Sequence, residues 1–237
     1  MMRLAARVAR EAGGHRPAIY WTDFILSALV GYAALALAIL ADPVAARLTA
    51  GIVSVLALYR AGSFMHELTH MRDEDVPGFR AVWNLLAGIP LMMPSFMYEG
   101  VHTLHHARNR YGTARDPEYL PLARMRPANL ALFIAAAALA PLGFLIRFGL
   151  LAPMSALSPR LRRIVVERFS SLAINPDFRR EPAAPDEARR WLVLEAATMA
   201  WAVGLLAGVA VGVLPLAAVL TYLAGTDLGR TVEAAGA

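Results

Sequence analysis

Residues 24–41, FILSALVGYAALALAILA, run eighteen positions between Asp23 and Asp42 without a charge. About 20 apolar residues in a helix cross the hydrocarbon of a bilayer. The run begins too late, and is too long, for a signal-peptide core of about 7–15 residues. It therefore reads as a spanning helix. Working outward, residues 48–65 form a second apolar run, interrupted by Arg60 and ending where His66 begins. Residues 81–97 are apolar but broken by Pro90 and Pro94, which suits a re-entrant or interfacial segment. Residues 129–146 make a third strong run, continued by an apolar stretch to Met154. The last, 191–224, holds Glu195, Gly204, Gly208, Gly212 and Pro215, and is either one long span or a hairpin turning near Gly212 and Pro215. The expected architecture is all-α: an integral membrane helical bundle of four or five spanning or re-entrant helices with a cytosolic cap.

Composition agrees. The apolar fraction is 58% and the mean hydropathy +0.49, against about 45–50% apolar in soluble domains. The net charge of +5 comes from arginine alone, since the chain has no lysine, a usage typical of GC-rich bacterial genomes. Arginines beside apolar runs follow the positive-inside rule, so the basic balance does not imply nucleic acid. Arg3, Arg7, Arg10 and Arg16 precede the first span, Arg72 and Arg80 follow the second, and eight more lie between residues 159 and 190. Only Arg47 falls between the first two spans. This asymmetry predicts a bacterial inner-membrane protein with its N-terminus, its histidine-bearing segments at 66–70 and 102–106 and its arginine-rich loop in the cytoplasm. One membrane domain, 1–237, divides into a basic segment (1–22), a helical hairpin (24–65), a cytosolic or re-entrant region (66–127), an apolar span (128–154), an arginine-rich loop (155–190) and a last apolar segment (191–225). With no cysteine, disulfides, thiolate ligands and iron–sulfur clusters are excluded.

Five of the six histidines occupy two five-residue windows, His66-Glu67-Leu68-Thr69-His70 and His102-Thr103-Leu104-His105-His106. Helical spacing puts residues three and four apart on one face, so each window can aim its imidazoles together. Imidazole suits iron and zinc, and scattered surface histidine does not cluster this way. Read as H-E-x-x-H, the first window would hold zinc with Glu67 as the base of an intramembrane metalloprotease. Asn175-Pro176-Asp177 would then offer the further ligand, but it lies in the arginine-rich loop outside any apolar run. Read as H-x-x-x-H, the window is one of several boxes around a metal pair. The second window favours the latter, because a protease has no use for three more imidazoles.

From Phe64 to Leu122 the chain resembles the membrane fatty acid desaturase family, including its hydroxylase and ketolase relatives. The resemblance rests on the H-x-x-x-H box, 31 intervening residues, the H-x-x-H-H box, then Tyr111-Gly112-Thr113 and Asp116-Pro117-Glu118-Tyr119. The intervening Trp83-Asn84-Leu85-Leu86-Ala87-Gly88-Ile89-Pro90 is similar to the apolar hairpin between these boxes in bacterial members. It implies that His66, His70, His102, His105 and His106 ligate a di-iron centre, with zinc the alternative metal. It further implies dioxygen-dependent dehydrogenation or hydroxylation of a lipid acyl chain. Electrons would come from an external ferredoxin-, rubredoxin- or cytochrome-like donor, for no flavin, haem or iron–sulfur motif is present.

The family carries a third box, another H-x-x-H-H, after its last spans, and no histidine follows His106 here. Two expectations follow. The reading frame is a truncated or frameshifted form of a longer enzyme, or other groups replace the missing ligands. The tail from Thr226 to Glu233 offers no imidazole. Glu99, three residues before His102, has the Glu-x-x-His spacing of carboxylate di-iron bundles and is the candidate catalytic carboxylate, with Asp116, Asn109 and Asn84 nearby in sequence. A non-catalytic membrane protein with a residual metal site is the remaining alternative.

Overall fold

The computed structural model describes residues 15–119 and 126–226. Most of the basic N-terminal segment and the tail after Thr226 lie outside the described residues. Helix α1 (Pro17–Leu40) and helix α2 (Val44–His70) form an antiparallel hairpin. Pro17 opens α1, where its fixed φ suits a first turn and no N–H is lost. Asp42-Pro43 ends the hairpin's first limb and lets α2 start afresh. The helices meet closely because Gly31 lies on Leu58: a Cβ at Gly31 would come within 2.6 Å of the Leu58 side chain and 3.1 Å of its backbone nitrogen.

The second limb overruns its apolar stretch. Rather than stopping near Met65, α2 continues through the entire first histidine window. Outward-facing Leu26, Leu29, Leu37, Leu40, Leu48, Ile52 and Leu56 are exposed, as a lipid-facing stripe should be.

The proline-broken stretch is buried, as a non-helical segment at membrane depth must be. It comprises α3 (Phe79–Trp83), a π-helical turn (Asn84–Gly88) and a 3-10 turn (Ser95–Met97). Its backbone carbonyls find side-chain donors. Tyr32 donates to Leu86 O at 2.6 Å, and Tyr222 donates to Pro90 O. Asn84 accepts from the Ser95 amide (2.8 Å) and donates to the Ser95 hydroxyl (3.0 Å), pinning the two limbs together. Trp83 donates to Ala61 O on α2 at 2.8 Å. Around it Tyr20, Trp21, Phe24, Phe64 and Phe79 pack edge-on or tilted, with centroids 5.2–5.9 Å apart, a favoured aromatic geometry.

The third apolar run is bent. α5 (Pro127–Ala138) meets α6 (Ala140–Ile146) at a break, and the chain continues through a π turn (Arg147–Leu151) into α7 (Ala152–Ser155), with a 59° bend between the halves. Pro141 opens the second half. The short α8 (Pro159–Phe169) leads to α9 (Pro185–Ala210). Gly212, at φ +73°, then turns the chain before Pro215 into α10 (Leu216–Gly225), so the last apolar segment is a hairpin. Among the described residues three helices are long and apolar enough to cross a membrane, and the bent run would be a fourth. The protein is an integral membrane helical bundle.

Candidate metal centre

The last turn of α2 and a five-residue helix, α4 (Val101–His105), carry the imidazoles. Gly100 enters α4 with φ +76°, a conformation that costs glycine nothing. The turn swings the second window back over the end of α2. His66 and His70 project side by side, with ring centroids 4.9 Å apart. The His102 ring lies 4.3 Å from His66 and 4.9 Å from His70. One ligand nitrogen from each of these three residues falls within 4.8 Å of the others. His106 completes the group, its Nε2 2.9 Å from His102 Nε2, which in turn is 3.0 Å from His70 Nε2.

Proton bookkeeping shows what this arrangement presents. His102 Nδ1 lies 2.9 Å from both Glu118 Oε1 and the Tyr98 hydroxyl. An ionised carboxylate only accepts, so Nδ1 carries the hydrogen and Nε2 is left bare, facing the cluster. His105 Nδ1 likewise donates to both oxygens of Asp116, at 2.9 and 3.0 Å. Asp116 is 1% exposed and also accepts the Gly112 (2.8 Å) and Glu118 (2.9 Å) amides. Burial alone would raise its pKa, but His105 and the two amides hold it below the usual carboxylate range. For His102, burial pushes the pKa down; Glu118 opposes this and the neighbouring His66 and His106 rings reinforce it. A buried, neutral imidazole with its far nitrogen held by a carboxylate is the usual condition of a metal-bound histidine. Four converging imidazoles without thiolate suit iron, zinc or copper chemistry. The donor set fits a metal centre.

The sequence-predicted residues do not all enter it equally. His66, His70, His102 and His106 converge. His105 stands beside them, 5.3 Å from the His106 ring, with Asp116 behind it. Glu67 accepts from Tyr20 at 3.0 Å, so the residue that a zinc protease would use as base is engaged by α1.

Glu99 turns to arginine. Its carboxylate, 11% exposed, takes Arg80 at 2.8 Å, Arg190 at 2.8–2.9 Å and the Ser95 hydroxyl at 2.8 Å. Arg80 also donates to Leu68 O (2.9 Å) and Met71 O (3.3 Å), orphan carbonyls at the end of α2. It thereby ties the helix of the first window to the residue preceding the second. Arg180, 5% exposed, donates to Met97 O, Ser170 O and Glu99 O at 2.7–3.0 Å and lies 4.1 Å from the Trp191 ring. Burial lowers its pKa to about 10. Asn175 reaches Ala114 O and Asp116 O at 3.0–3.1 Å, strapping the arginine-rich segment onto the loop behind His105. Sequence reading missed Arg80, Arg180 and the supporting role of Glu118. The only local signal was the Asp116-Pro117-Glu118-Tyr119 string, whose carboxylates sit ten and more residues past the imidazoles they serve.

A family model described as fatty acid desaturase matches residues 38–228. The chain belongs to that family. It is 48% identical over 224 residues to the ceramide hydroxylase of Caulobacter vibrioides (strain NA1000 / CB15N), covering 94% of this chain and 64% of the relative. The chain thus spans somewhat less than two thirds of that protein's length. No solved structure matches.

Proposed function

We propose that this chain forms the membrane and metal-binding portion of a lipid-modifying oxidoreductase that uses dioxygen and a histidine-bound di-iron centre to hydroxylate an acyl chain. The carrying observation is the convergence of His66, His70, His102 and His106, with carboxylates behind the second window. Hydroxylation is preferred to dehydrogenation because the 48%-identical relative is a ceramide hydroxylase, and a ceramide-like lipid is the substrate class this suggests.

When bound, iron supplies the oxidising power toward an unactivated C–H bond, and the net change consumes dioxygen, two electrons and two protons to give the alcohol and water. The chain's own residues do the rest. Glu118 and Asp116 fix the tautomers of His102 and His105, so that their Nε2 atoms stay free of hydrogen. Arg80 holds α2 and Glu99 at a set separation. The α1–α2 hairpin brings lipid to the cluster from the bilayer side.

Arginine asymmetry supports a cytoplasmic orientation of the histidine face in a bacterial inner membrane. Exposed Arg160, Arg163 and Arg168 on α8 suit docking of a small acidic electron carrier. The test is iron content of purified protein, with mass spectrometry of lipids from cells expressing it. One tightly held zinc and no iron would overturn the proposal, as would iron with no oxygenated lipid when the carrier is supplied.

A further inference from the structure

A cleft of about 460 Å³ opens between α1 and α2 beside the cluster, lined by Tyr20, Asp23, Arg60, Ser63, His66 and Glu67. It contains an ion pair: Arg60 donates to both oxygens of Asp23, through Nε at 3.2 Å to each. Ionisable groups inside a spanning helix are costly and mark function by default. The depth is informative. Arg60 is sixteen residues from the start of α2 and Asp23 seventeen from the end of α1. Both lie about 24–26 Å from the far end of their helices at 1.5 Å per residue, against a hydrocarbon thickness of about 30 Å. The pair therefore lies about 4–6 Å inside the hydrocarbon edge on the histidine side, where the first carbons of the alkyl chains meet a lipid's polar backbone.

The charges choose among headgroups. Without metal, Asp23 and Glu67 outnumber Arg60, so the lining side chains carry a net negative charge that disfavours phosphate, while their oxygens accept hydrogen bonds. We propose that this cleft is the recognition site for the neutral, hydrogen-bond-donating backbone of the substrate, an amide and hydroxyl flanked by alkyl chains, and that it excludes phosphorylated lipids. The inference rests on the lipid-hydroxylase reading and adds the polar class and its address.

The probe is N-hexanoyl-sphinganine, compared with its 1-phosphate, titrated calorimetrically onto the full chain in uncharged detergent, both metal-free and iron-loaded. The neutral lipid is expected to bind the metal-free chain at least about tenfold tighter than the phosphate. Asp23→Asn and Tyr20→Phe should each weaken it by about tenfold, the range expected for a lost charged hydrogen bond, with iron content unchanged. Tyr20→Phe removes one oxygen without changing shape, so it answers even if Asp23→Asn misfolds. Equal binding of the two lipids, no binding of either, or wild-type affinity in a folded Tyr20→Phe variant overturns the proposal. Failure of iron loading with lipid discrimination intact overturns the metal reading and leaves the cleft standing.

Discussion

Replacing Glu99 by glutamine separates two roles for this carboxylate. The spacing before His102 makes it a candidate ligand, whereas the structure ties it to Arg80, Arg190 and Ser95. Glutamine keeps the shape and one acceptor but leaves two guanidiniums without their counter-charge. Breaking a buried pair costs about 3–5 kcal/mol. Arg80 is 18% exposed and keeps Asp73 and two carbonyls, and Arg190 is 37% exposed and keeps Glu187. Water and these remaining partners reduce the loss to about 2–3 kcal/mol, a fall of about 4–12 °C in melting midpoint for a chain of this size. The assay is thermal unfolding of metal-free protein in detergent, followed by tryptophan fluorescence, with iron stoichiometry measured in parallel. The clamp role predicts that the metal-free midpoint falls and that removing Arg80 as well costs less than the sum of the two single losses, because the two residues are coupled. An unchanged metal-free midpoint with iron content halved would refute the clamp and restore Glu99 to the ligand set.

His70→Ala and His105→Ala are each expected to abolish iron loading while membrane insertion, followed by fractionation, is retained. Asp116→Asn should weaken iron affinity by about 10–100-fold, the usual cost of losing a carboxylate behind a metal-bound histidine, measured by competition with a chelator. Asp116 also carries a pH signature. Its folded pKa is below the unfolded value of about 3.9, so its stabilisation is fully present above that value and disappears as pH falls through it toward the folded value. The metal-free melting midpoint of wild type should therefore drop more steeply than that of Asp116→Asn below about pH 4. Gly31→Val should cost about 1–3 kcal/mol by overpacking against Leu58, whereas Gly51→Ala, with nothing within 4 Å of its added methyl, should raise the melting midpoint slightly, through the about 0.5–1 kcal/mol that glycine costs inside a helix.

What the sequence made legible was whatever a local pattern records. Residues 24–41 announce α1 by unbroken apolarity, and Pro90 with Pro94 forbid a clean crossing. The histidine windows announce an imidazole cluster because helical spacing aligns the rings within each. Less legible was whatever depends on partners far along the chain. Nothing local to Glu99 says that Arg80 and Arg190 lie across from it, nineteen and ninety-one residues away. The end of α2 is set by the backbone rather than by the apolar run. Hydropathy falls at His66, but backbone hydrogen bonding does not depend on side-chain polarity, so the helix runs on to His70. The 59° bend at Leu139 likewise replaces what the composition of residues 129–146 presents as one continuous apolar run.

The supports behind the imidazoles follow from the size of the helix that bears them. A five-residue helix such as α4 cannot hold itself together in isolation, since nucleation is unfavourable and propagation has no length in which to compensate. Yet His102 and His106 must present their Nε2 atoms within 3.0 Å of a neighbour. The orientation must therefore come from outside the helix, and three ties provide it. Arg180 fixes the carbonyls of Met97 and Glu99 just before it, Arg80 and Arg190 fix the Glu99 side chain, and Glu118 and Asp116 fix the rings from behind. Arg190 belongs to α9, and Arg180 lies in the arginine-rich segment that leads into it. Packing of α9 and the geometry of the imidazole cluster are thus mechanically one problem. Severing the tie on that side, with Arg180→Met, should loosen the second histidine window more than the first. Hydrogen exchange at His102 to His106 should then rise well above that at His66 to His70, and equal exchange in the two windows would contradict the argument.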